Sequence, residues 1–113
     1  MTMKIGDYAK ASDYDKACDM MARVSLIAER ATGDDVRPMA VLCDLVNGVC
    51  TAVNARQSLA NRLEGYVLAD ASRRELNAMG WQFAGRAFCA EAVARVEDAR
   101  RAMLFLMVRG EGV

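Results

Sequence analysis

The sequence predicts an all-α protein of three main helices, residues 12–32, 35–69 and 72–108, packed as an elongated antiparallel bundle that self-association completes. Three observations lead there. Apolar residues recur at helical spacing over long stretches. A single proline interrupts 113 residues. Ala, Leu, Met and Arg, all good helix formers, are abundant. At this length one domain is expected, spanning residues 1–113, and it can bury a core without disulfides or metals.

Residues 1–11 carry no pattern and contain Gly6 and Asp7, so they read as a loosely held N-terminal lead. Ser12-Asp13-Tyr14-Asp15 then opens the first helix. It is close to a capping box, with Asp where Glu is usual. Asp13, Asp15 and Asp19 add negative charge near the positive end of the helix dipole. Tyr14, Cys18, Met21, Ser25 and Ala28 form one stripe, and Ala17, Met20, Val24, Ile27 and Ala31 a second beside it. Thr32-Gly33 ends the helix, with Gly33 free to turn left-handed.

Asp35 is the expected cap of the second helix. Pro38 then falls at the third helical position, where its missing N–H removes no internal hydrogen bond. So short a link makes the first two helices an antiparallel hairpin. From Arg37 to Leu68 one face collects Leu42, Val49, Arg56 and Leu63, then Leu45, Ala52, Leu59 and Tyr66, then Val46, Val53, Ala60 and Val67. The far face holds Asp44, Thr51 and Ser58 beside Asn47, Asn54 and Asn61. Gly48 and Asn54 are weak helix formers, each costing up to about 1 kcal/mol relative to Ala. The apolar register crosses both without a phase change, which predicts a continuous helix, with a break near Asn54 as the alternative. A helix of about 33 residues spans roughly 50 Å. A compact chain of this size is roughly 35 Å across. The helix therefore breaks, elongates the molecule, or is covered by a second chain.

Ser72-Arg73-Arg74-Glu75 is a full S-x-x-E capping box and opens the third helix, which runs to Val108 before Gly110 and Gly112. Trp81, Phe88, Ala92, Val96, Ala99, Met103 and Leu106 fall on one side of it. Leu76, Met79, Phe83, Ala87, Ala90 and Ala94 fall roughly opposite. A helix apolar on two sides needs cover on both. The hairpin supplies one side; a second copy, another protein or a fold-back of the helix supplies the other.

The residues carry little chemistry. Histidine is absent, which excludes His-based acid–base work, Ser–His and Cys–His pairs and most catalytic zinc sites. No phosphate-binding or zinc-peptidase motif occurs. Fifteen basic and fifteen acidic residues cancel, which argues against nucleic acid as a partner. The longest strongly apolar run, Ala102–Val108, is too short for a membrane span. Cys18, Cys43, Cys50 and Cys89 show no C-x-x-C. Cys43 and Cys50 lie seven apart on one helix, roughly 10 Å along its axis, too far to pair with each other. With no signal-peptide pattern, reduced thiols acting as small apolar residues and a cytoplasmic location are expected.

The expectation is thus a protein without enzymatic activity, metal or cofactor, acting by protein–protein interaction as a homodimer, with an unidentified protein as a further partner. The interface candidates are Trp81, Phe88, Val96, Met103 and Leu106, together with Arg56, a charge set in the apolar seam. Asn47, Asn54 and Asn61 form a candidate polar recognition face. Three other classes suit the same residues: an inhibitor of a host system encoded by a phage or mobile element, of anti-CRISPR, anti-defence or immunity type; a nucleic-acid-associated regulator; and an enzyme or ligand-binding bundle whose site is built only on assembly.

Overall fold

The computed structural model describes residues 12–109, and these form four α-helices: α1 (Asp13–Ala28), α2 (Val36–Ala52), α3 (Leu59–Ala78) and α4 (Arg86–Arg109). The lead 1–11 and the glycines at 110 and 112 lie outside the described residues.

Helix α1 starts where its cap predicts. The Ser12 Oγ accepts the Asp15 backbone N–H at 3.2 Å and donates to the Asp15 carboxylate at 2.9 Å. Ala17, Met20 and Val24 are its fully buried residues. The helix ends at Ala28, short of the expected position. Gly33, at φ +57°, opens one turn of 3-10 helix (Gly33–Asp35) that leads into α2. Pro38 is the third residue of α2, as its chemistry requires, although the Asp35 side chain makes no capping hydrogen bond.

Helix α2 is the centre of the molecule. Met39, Val41, Leu42, Leu45, Val46, Val49 and Ala52 are each 1% exposed or less, and α2 packs against α1, α3 and α4 alike. The four helices alternate in direction. Gly48 meets Gly65 and Ala69, so α2 and α3 are antiparallel. Leu45, Val46 and Val49 meet Ala17 and Met20 of α1 and Ala92 and Arg95 of α4. The result is a flat body of 45 × 32 × 18 Å with a radius of gyration of 14.1 Å.

The three-helix expectation is corrected at two points. The continuous helix over 35–69 is broken at residues 53–58, near Asn54. Three side chains close the turn. The Asn54 carboxamide oxygen accepts the Arg56 N–H at 3.0 Å; the Ser58 Oγ accepts the Asn61 N–H at 3.2 Å as the cap of α3; and the Arg62 Nε donates to the Ala52 carbonyl at 2.8 Å, satisfying an orphan acceptor at the end of α2. The break lets the α2 face fold onto α3, which removes the overhang.

The expected start at Ser72 is also overturned. Ser72 is buried inside α3, 5% exposed, and the helix runs through it from Ser58. The capping-box residues serve other ends. Arg73 and Arg74 both pair with Asp70, and Glu75 pairs with Arg37 at the start of α2. The real break lies at Gly80 and Trp81, which take successive left-handed conformations at φ +73° and +59°. That geometry is easy for glycine and costs a bulky residue of order 1–3 kcal/mol. The helix expected over 72–108 therefore folds back. Leu76 goes into the core from α3, while Ala87, Ala90 and Ala94 face outward on α4. Its supposed second apolar side no longer calls for a partner.

Gly48 is a contact point and not a weak spot. A Cβ there would stand 2.5 Å from the Gly65 carbonyl oxygen and 2.8 Å from the Ala69 nitrogen; one at Gly65 would stand 2.7 Å from the Gly48 carbonyl oxygen. Helix propensity alone favours Ala over Gly by about 1 kcal/mol. We predict the opposite sign for Gly48→Ala, a loss of about 1–3 kcal/mol from overpacking against backbone. Urea unfolding measures it directly, and a more stable variant would contradict the packing described.

Candidate functional site

The residues singled out by sequence scatter over the fold. Val96 and Met103 are 1% and 3% exposed and sit inside the core of the single chain. Phe88, in the first turn of α4, packs partly on that core, and the Arg23 guanidinium lies 5.5 Å from its ring centroid. Arg23 also reaches Asp19 at 3.2 Å and Glu91 at 3.5 Å, so a charged cluster joins α1 to α4. Trp81 packs partly on the core from the α3–α4 connection, its indole N–H donating to Asn77 at 2.9 Å. The Asn ladder is not a face. Asn47 lies exposed on α2, Asn54 closes the turn, and Asn61 lies in the first turn of α3, where its amide donates to Gln57 at 3.0 Å. The broken helix separates them.

Arg56, Asn54 and the approach to Leu106 do come together, at the pole where α1 starts, α2 turns into α3, and α4 ends. There a cleft of about 630 Å³ is lined by Ser12 to Asp15, Val53 to Arg56, Arg62 and Ala102. Its walls carry both signs of charge. Asp13 and Asp15 stand at the start of α1; Arg56 and Arg62 stand on the other side, and burial lowers the Arg62 pKa from its ordinary value. Leu106 lies one turn beyond Ala102 on α4 and is half-buried.

Beyond Ala102, α4 turns one apolar side outward. Leu104, Phe105, Met107 and Val108 are 47%, 57%, 55% and 87% exposed. At 100° per residue these four positions span about 160° of the helix, on the side away from Met103 and Leu106. Sequence reasoning noticed this run only as too short for a membrane. Its signal was that five consecutive apolar residues at a helix end cannot all point inward. Among the described residues, no helix is long and apolar enough to cross a membrane.

One turn along α1 from Tyr14, a second cluster adjoins the cleft. The Tyr14 hydroxyl, the Cys18 thiol and the Cys50 thiol of α2 lie close enough to perturb one another. Cys18 is exposed, Cys43 and Cys50 are half-buried, and Cys89 is buried in the core. The Tyr14 pKa is raised, first by its hydrogen bond to Cys18 and next by the charge of that group. Burial, with the neighbouring Cys18 thiol, pushes Cys50 up to about 12; burial alone pushes Cys89 up to about 11. Among the described residues, no group of three or more Cys, Asp or Glu is placed to hold a metal ion. Comparison of the chain with known protein families, curated proteins and solved structures finds no match.

The raised thiols make stability depend on alkali. The unfolded chain releases these protons near pH 9, while the folded chain holds them to about pH 11 and 12, so folding is favoured below pH 9 and the advantage is lost as pH rises through that window. Urea midpoints should fall between pH 8 and pH 10, and the fall should be smaller in Cys89→Ala. An identical fall in both proteins would contradict the assignment.

Proposed function

We propose that this chain is a binding module that acts by association with a second copy of itself through the pole where α4 ends. The exposed end of α4 carries the reading. Leu104, Met107 and Val108 hold apolar surface that the other described residues leave uncovered. The run from Ala102 to Val108 contains no charge, and the whole chain has a formal net charge of zero, so two copies approach without electrostatic repulsion. A two-fold contact uses one patch twice. The Asp13, Asp15, Arg56 and Arg62 side chains around the neighbouring cleft supply both signs of charge for its rim.

Three exposed side chains on each copy make a small patch, so the expected dimer is weak, with a Kd of about 1 mM or above.

Light scattering from roughly 0.1 mM to 5 mM, a range that spans that value, tests the reading. The mean mass should climb toward twice the chain mass in the wild type. Met107→Asp should remain monomeric with unchanged helicity, because Met107 is exposed in the single chain. A wild type that stays monomeric throughout would overturn the proposal.

A further inference from the structure

The α1–α2 hairpin brings together two cysteines that are 32 positions apart in the chain (50 − 18). Residues 29–35 connect the two helices, which run antiparallel. Ala17 and Met20 of α1 enclose the same small void as Leu45, Val46 and Val49 of α2, so Cys18, next to Ala17, and Cys50, next to Val49, fall at the same level of the pair. The two thiols are close enough for each to perturb the other, with Cys18 exposed and Cys50 half-buried.

We propose that Cys18 and Cys50 form a redox-active dithiol site, which a low-molecular-weight disulfide oxidises to an intramolecular disulfide that clamps α1 to α2. The Cys18 thiolate attacks one sulfur of the small disulfide, breaks its S–S bond, and releases one thiolate, which takes up the proton Cys18 lost. The Cys50 thiolate then attacks the Cys18 sulfur of the mixed disulfide. The second small thiolate leaves and takes up the proton from Cys50. Two protein thiols are oxidised, one small disulfide is reduced to two thiols, and no other reactant is needed. The exposed cysteine makes the first contact. The second step is the slow one, because burial holds the Cys50 proton on the sulfur, and it accelerates as pH rises.

The bond closes a loop of 31 intervening residues (50 − 18 − 1). It ties the first turns of α1, which carry Tyr14 and one wall of the cleft, to the central helix. The site stands whether or not the chain self-associates.

The test uses the full chain with oxidised glutathione at about pH 8.5, near the ordinary thiol pKa, followed by non-reducing peptide mapping. The expected product is a Cys18–Cys50 link within one chain, with Cys43 and Cys89 still free. The midpoint of thermal unfolding should rise by roughly 10 °C and return on reduction. Cys50→Ser should stop at a glutathione adduct on Cys18, and Cys18→Ser should leave Cys50 unmodified over the same time. A wild type that stops at the Cys18 adduct, links a different pair, or links only between chains would overturn the proposal.

Discussion

The backbone contact between Gly48 and Gly65 is the constraint on which the other parts rest. Two helices ordinarily stand 8–10 Å apart, held off by their side chains. Here each glycine lacks the Cβ that would strike the other's carbonyl oxygen. The α2–α3 hairpin can therefore close tightly, and α2 becomes a helix covered on three sides. Its row of seven residues at 1% exposure or less follows from that position. With α3 drawn in so closely, α1 and α4 find room on the remaining sides of α2, and the body becomes flat.

Much of this was legible in the residues. The apolar stripes of α1 and α2, the Ser12 cap and the placement of Pro38 are local features, and local physics decides them. The breaks are different. Ser58 and Ser72 offer similar capping chemistry, and Ser72 has the stronger motif, yet Ser58 caps a helix and Ser72 is buried in one. What separates them is tertiary. A turn at 53–58 brings Gly48 onto Gly65, whereas a break at Ser72 would split the face that α3 presents to α2. An unbroken apolar register also misled at Asn54, because a tight reversal can preserve the seam on both arms of a hairpin.

The third long helix failed for a related reason. Reading 72–108 at 100° per residue assumes one axis throughout, but Gly80 and Trp81 change the axis. The residues that looked like a second apolar side belong to another helix, to the connection, or are alanines whose methyl groups tolerate water. The arguments for a partner from helix length and from two-sidedness disappear with that assumption. A different feature, the exposed apolar side at the end of α4, takes their place. The cysteine pair was only partly within reach of the sequence: the hairpin was expected, but the level at which its two helices pack is fixed by contacts such as those of Ala17 and Met20 with Val46 and Val49.

The central claim is that residues 36–78 are a closed hairpin and not one long rod. The distance between spin labels at Ala40 on α2 and Ala71 on α3, both exposed, tests it most directly. The labelled chain is diluted in unlabelled protein so that only distances within one molecule are read. The hairpin predicts a separation below about 25 Å, two adjacent helices plus the label arms. A separation near 45 Å, about 31 residues of continuous helix at 1.5 Å each, would contradict it.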